Sequence, residues 1–319
     1  MGILYIDRKD MEIRDEGNHL CLYEGGERRS TVPLNLLERV VIRGRVAMNS
    51  GLLTRLAEHE VGLLVLGGRQ HRQVAMVTGR PHGDTDRRIA QYRWMADPLY
   101  RARWSQGLVR LKLKSQRRFL LRAAIQRPDC KHALLDAADR IRRSLEGLQS
   151  ASPEAGIEPR LKGIEGAAAN AYFSGFTGLF PPSLEFTGRN RRPPKDPVNA
   201  VLSLAYTLLH YEAVFSCFAA GLDPCVGFFH DPAYNRESLA ADLIEPLRAK
   251  VDAWVWRLFA DRLVRADSFT RQDDACLLGK AGRQTFYAEY EIFMRPMRKL
   301  LRRWTLAIAR RLLEPEVAS

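Results

Sequence analysis

Thr78-Gly79-Arg80-Pro81-His82-Gly83-Asp84-Thr85 separates two textures of sequence. Two glycines, a proline and small polar residues within eight positions favour turns over any regular element. Upstream, short apolar or alternating runs recur at 3–6, 11–13, 19–23, 40–42, 61–66 and 73–78, parted by turn chemistry such as Arg8-Lys9-Asp10 and Glu24-Gly25-Gly26-Glu27. One helix interrupts them at 51–60, with Ser50 as its expected cap and Leu52, Leu53 and Leu56 sharing a face. Downstream the pattern turns helical almost without relief. Helices are expected at 87–95, 98–126, 131–149, 161–173, 198–220, 238–266 and 285–313. The fold class is therefore α+β. A small N-terminal β-rich domain (1–78) is joined by a linker (79–90) to a larger all-α domain (91–319).

With 319 residues, 46% of them hydrophobic, the chain has enough apolar material for two ordinary domains and is too rich in it for disorder. Charges at Asp7, Arg8, Lys9 and Asp10 interrupt any secretory apolar run. The stretch 202–222 is broken by Ser203, His210, Glu212 and Ser216, so it reads as a buried helix rather than a membrane span. Five scattered cysteines without a C-x-x-C pair suit reduced thiols in the cytoplasm.

Net charge is +13 and unevenly spread. Residues 1–85 hold 12 basic and 11 acidic side chains, so nearly all the excess lies in the helical part. Such a distribution suits a polyanionic partner, although a solubilising surface would have the same sum. Between Asp97 and Asp129 there is no acid, and Arg103, Arg110, Lys114 and Arg117 fall within about 60° of one another on a helix. That stripe can follow successive phosphates; the alternative is a solvated face, which usually mixes signs. A second acid-free run, 292–313, carries seven basic residues around Trp304, and the loop Arg189-Asn190-Arg191-Arg192-Pro193-Pro194-Lys195 is a third basic element.

Phosphate-binding glycine loops, a nucleophile elbow and an H-E-x-x-H helix are all missing from the sequence. Two segments remain for chemistry. In Gly163-Ile164-Glu165-Gly166-Ala167 a carboxylate sits among small residues that allow close approach, though a Glu in a first turn commonly complements the helix dipole. In Gly227-Phe228-Phe229-His230, followed by Ser238-Leu239-Ala240-Ala241-Asp242-Leu243-Ile244-Glu245-Pro246-Leu247-Arg248, an imidazole precedes two acids spaced i, i+3. Carboxylate and neutral imidazole suit Mg²⁺ or Mn²⁺, while a packed His beside a solvated helix face accounts for the same residues.

Taken together and in order, these segments resemble the CRISPR-associated adaptation endonucleases, the integrases that insert new spacers. The resemblance extends through Gln91-Tyr92-Arg93 with Asp97-Pro98, Lys112-Leu113-Lys114-Ser115-Gln116-Arg117-Arg118, Lys195-Asp196-Pro197-Val198-Asn199-Ala200, Tyr206 and Gly282-Arg283-Gln284-Thr285-Phe286. It implies Mg²⁺ or Mn²⁺ held by Glu165, His230 and Glu245, with Asp242 a further catalytic acid, an auxiliary ligand or a support behind the ligands. Asn170 stands where many relatives carry Arg. It implies DNA as substrate, both as double-stranded fragments with 3′ ends and as CRISPR repeat DNA. Arg103, Arg110, Lys114, Arg117, Arg189, Arg192, Lys195 and Arg248 are the expected DNA contacts. A homodimer and a small companion adaptation protein are the implied partners, with no membrane. Two other classes fit the residues: a metal-dependent nuclease selective for branched DNA, and a non-catalytic nucleic-acid scaffold.

Overall fold

A computed structural model describes residues 2–67, 73–80, 82–190 and 193–314. The chain divides into two compact units, 1–83 and 84–319.

The first unit holds two four-stranded sheets. One contains β1 (Gly2–Ile6), β5 (Leu37–Arg43), β7 (Gly62–Gly67) and β8 (Gln73–Val77) in the order β1-β5-β7-β8. Its first three strands run parallel and β8 antiparallel. The other is ordered β4-β3-β2-β6, from β2 (Met11–Glu16), β3 (His19–Glu24), β4 (Glu27–Pro33) and β6 (Val46–Ala47). Gly25 and Gly26, at φ of 60° and 84°, make the turn between β3 and β4, where two left-handed residues match the strand twist. One core joins the sheets through Ile13, Leu20, Leu34, Val40, Ile42, Leu52, Leu56 and Leu63. The helix of this unit, α1 (Ser50–Glu58), starts one residue earlier than expected. Asn49, not Ser50, is its cap, accepting the Leu52 N–H at 2.9 Å.

The second unit is helical: α2 (Asp86–Ala96), α3 (Pro98–Gln126), α4 (Lys131–Gln149), α5 (Glu158–Thr177), α6 (Pro197–Ala219), α7 (Ser238–Ala260) and α8 (Lys280–Leu313). The expected linker is thus shorter at its far end, since 86–90 belong to α2 and Gln91 is wholly buried in this unit. Asp97 starts α3 by accepting the N–H groups of Leu99 and Tyr100 at 2.8 and 2.9 Å, and Pro98 occupies the first turn, where its missing donor costs nothing. α3 packs on α4, α5 and α7, while α6 packs on α7 and α8. α6 is long and apolar enough to cross a membrane, yet 61% of its most apolar window is buried inside this unit. The expected helical unit is not purely α. A hairpin of β9 (Phe269–Gln272) and β10 (Ala275–Leu278) lies between α7 and α8, and the Cys276 N–H donates to the Pro194 carbonyl at 2.8 Å.

Candidate active site

The loop before α7 places His230. Gly227 lies so close to α7 that a Cβ there would stand 2.7 Å from the Ser238 carbonyl carbon and 2.9 Å from an Asp242 oxygen, so the close approach requires glycine. Asp242 then captures three successive N–H groups of the loop. Its Oδ2 accepts from Phe228 and Phe229 at 2.8 and 3.0 Å, and its Oδ1 accepts from the His230 N–H at 3.0 Å. His230 Nδ1 lies 2.7 Å from the same Oδ1. An ionised carboxylate only accepts, so Nδ1 carries the proton, and in the neutral tautomer Nε2 is the nitrogen with the lone pair. From the other side, α3 holds the loop through Arg101 Nε and Ser105 Oγ, which donate to the Phe228 carbonyl at 3.2 and 3.3 Å.

This geometry corrects the expectation for Asp242 as a catalytic acid. The side chain is wholly buried, and both oxygens are taken by four donors. It can reach neither substrate nor solvent, and its part is to fix the tautomer and aim of His230.

Glu165 stands in the second turn of α5, past the first-turn position where a dipole complement would sit. A Cβ at Gly163 or Gly166 would meet nothing within 4 Å, so the flank beside Glu165 is open. Glu245, three residues after Asp242 on α7, is 6% exposed. The two glutamates meet across α3: Lys112 Nζ pairs with Glu165 Oε1 and lies 2.5 Å from Glu245 Oε2. Both oxygens therefore lie within about 5 Å of each other, a span that metal–oxygen bonds of roughly 2.1 Å bridge after small movements.

Glu245 Oε1 accepts from Arg248 Nε at 2.8 Å, whereas Oε2 is buried and faces the Lys112 ammonium. Burial pushes the Glu245 carboxyl up, but Arg248 and Lys112 outweigh it, with His230 adding to them, and hold it at about 2. A buried carboxylate oxygen that faces only a cation, near an imidazole held by a carboxylate, is chemistry that suits a metal ion. The residues fit a hard or borderline divalent ion. Among the described residues, no three His, Cys, Asp or Glu side chains are already drawn into a coordination shell. Lys112 stands between two of the three expected ligands.

The expected DNA contacts separate into kinds. Arg103 and Lys114 are exposed on α3, while Arg110 and Arg117 are partly buried, each with a buried Nε lacking a hydrogen-bond partner. Among the described residues these four make no ion pair, unlike Arg101 with Asp231 at 2.6 Å and Arg127 with Asp129 at 2.6 Å. Lys195 is exposed. Arg192 lies outside the described residues.

Two expected contacts are corrected. Arg248 is bound to Glu245 and lies over the Tyr206 ring at 4.7 Å, because the i−3 carboxylate and the ring face take its guanidinium. Arg189 likewise turns inward, donating to Asn199 Oδ1 at 2.7 Å and Ser203 Oγ at 3.2 Å. In the second acid-free run Arg298 is spent internally, on Glu212 at 2.9 Å and Glu291 at 2.7 Å. Asn170 is exposed on α5. The residue that sequence reasoning passed over is Lys112, named there only at the head of a family-like segment and given no role. Its signal was angular, since two positions from Arg110 is about 200° around a helix and faces away from the stripe.

A β-rich unit followed by a helical unit is also the fold of several solved structures. The chain superposes on a Cas1 protein from Thermotoga maritima with TM-score 0.85 and 22% identity, covering 100% of this chain and 99% of that one. It superposes on a casposase bound to its integration product with TM-score 0.82 and 19% identity, covering 99% and 94%. A Cas6-RT-Cas1–Cas2 complex matches with TM-score 0.80 and 22% identity over 97% of this chain and 34% of that one. These show the fold. The model of the family described as "CRISPR associated protein Cas1" matches residues 4–292. A CRISPR-associated endonuclease Cas1 of Thermodesulfovibrio yellowstonii is 38% identical over 98% of both chains. The chain belongs to the Cas1 family.

Proposed function

We propose that this protein is a divalent-cation-dependent DNA integrase and endonuclease of CRISPR adaptation. It attacks a phosphodiester with the 3′-hydroxyl of an incoming double-stranded fragment, or with water, to insert spacers at repeat DNA. The carrying observation is the meeting of Glu165 of α5 and Glu245 of α7 on one cationic nitrogen, beside an imidazole locked by Asp242. Glu165, Glu245 and His230 Nε2 would hold Mg²⁺ or Mn²⁺. When bound, such an ion supplies charge screening at the scissile phosphate.

The chain's own residues do the rest. Asp242 keeps the proton on Nδ1, so the neutral imidazole would present Nε2 to the ion. Arg248 and Lys112 keep Glu245 ionised, ready for a cation at any working pH. Arg103, Arg110, Lys114 and Arg117 run along α3, the helix that also supplies Lys112, and would hold the DNA backbone in register. Membership of Cas1, together with the casposase and Cas1–Cas2 likenesses, supports integration over simple cutting and a Cas2-like companion; a homodimer acting in the cytoplasm belongs to the same proposal.

Glu165→Gln and Glu245→Gln each keep the shape and remove one negative charge. Each should lower Mn²⁺-dependent strand transfer by at least about 10²-fold, with duplex affinity changed little. Measured on a duplex with a free 3′ end and a repeat-containing target, full transfer in either variant would refute the site. Cleavage of branched DNA without any joining in the wild type would favour the branched-DNA nuclease instead.

A further inference from the structure

We infer that Lys112 is an internal counter-ion: it occupies the cation position between Glu165 and Glu245 and has to be displaced when a divalent ion binds. The inference rests on the metal-dependent reading above. Lys112 projects from α3 with its side chain 11% exposed, and its nitrogen touches one oxygen of each glutamate. The Glu245 side chain is 7% exposed, so two ionised carboxylates this close would repel strongly in the absence of a cation.

Lysine suits the place better than arginine. Its ammonium is a compact point charge on a flexible stem, whereas a guanidinium fork would demand directional pairing. A single ammonium here reaches both carboxylates at once, one oxygen of each. The other oxygen of Glu245 is already committed to Arg248. A metal ion that uses Oε2 therefore takes the position Lys112 now holds, and two like charges do not share it. The free protein is stabilised by its own lysine, and the affinity for the ion is set by a competition inside the chain.

The test is Mn²⁺ binding to the full chain without DNA, by titration calorimetry and by thermal shift. Lys112→Met should bind Mn²⁺ about tenfold more tightly than wild type, and its Tm should rise further on adding Mn²⁺ while starting lower without it. Equal or weaker binding in Lys112→Met would overturn the counter-ion. The double variant Glu165→Gln with Glu245→Gln separates the two readings. Undiminished Mn²⁺ binding there would overturn the site itself, and the counter-ion with it. Abolished binding there with unchanged affinity in Lys112→Met would overturn the counter-ion alone. A second measurement needs no variant: acetylation of Lys112 by acetic anhydride, followed by mass spectrometry, should speed up severalfold when Mg²⁺ is added. An unchanged rate would overturn the inference.

Discussion

Glu245 and Asp252 stand seven residues apart on α7, both nearly inaccessible, and burial raises the proton affinity of each. Their outcomes diverge because their partners differ. Glu245 faces the cations Arg248 and Lys112 and is held at about 2. Asp252 faces the hydroxyls of Tyr172, at 2.7 Å, and Tyr206, and burial wins, carrying it to about 6. Asp242, nearer the start of the helix, takes a third course, with neutral N–H donors filling both oxygens. One helix thus carries a carboxylate charged for binding, one on the edge of neutrality, and one that serves only as a clamp. Neighbouring donors, more than depth, decide which carboxylate is available to a ligand.

The strongest way to break this contrast is to remove the clamp. Asp242→Ala would strand three backbone N–H groups and the imidazole Nδ1–H, at about 1–3 kcal/mol for each group left buried and unpaired. A fall in Tm of roughly 10 °C or more is expected for the helical unit. Glu245→Ala should cost less than half as much in stability, since Lys112 keeps its pair with Glu165 and Arg248 keeps the Tyr206 ring face. Similar losses in calorimetry would erase the distinction between clamp and ligand.

The two buried titrations should also run in opposite directions with pH. Asp252 is raised from 3.8 to about 6, so its stabilising contribution is complete below 3.8 and is lost as pH rises through 6. Over that window it amounts to about 3 kcal/mol, and Asp252→Asn should flatten it. Glu245 is lowered from 4.5 to about 2, so its contribution is complete above 4.5 and is lost as pH falls through 2. Glu245→Gln should remove that acid limb and leave the other. Urea midpoints measured from pH 3 to pH 8 would show whether each substitution acts on its own limb.

The mildest effect concerns the outer face of α3. Replacing Arg103, Arg110 and Lys114 together should weaken DNA binding and reduce its salt slope by roughly 0.9 for each phosphate no longer neutralised. A slope that does not move would assign the stripe to a protein partner.

Long helices were readable where their signals were local. Asp97-Pro98 opens α3 and Pro128 follows its end, so the range 98–126 emerged without help from tertiary packing. β4 escaped because Glu27-Arg28-Arg29-Ser30-Thr31 is exposed and polar, held by its pairing with β3 rather than by an apolar face. The β9–β10 hairpin escaped because four-residue strands between long helices leave little periodicity, and its edge is completed by Pro194, some eighty residues away in the chain. At the site, residue types and order were visible for Glu165, His230 and Glu245. For Asp242 a supporting role was one of several open readings, and the roles of Lys112 and Arg248 were not visible, because a charge declares its partner only after folding. Each is i, i+3 or farther from what it binds, and the choice between solvent, phosphate and carboxylate is made by packing.

The segment carrying His230 has no regular secondary structure, yet one carboxylate reads three of its peptide groups in succession. Irregular surface segments usually tolerate added or deleted residues. Here a single extra residue between Gly227 and His230 would put every donor out of step with its acceptor. The least helical-looking stretch of the domain is therefore the one whose length has least freedom to drift.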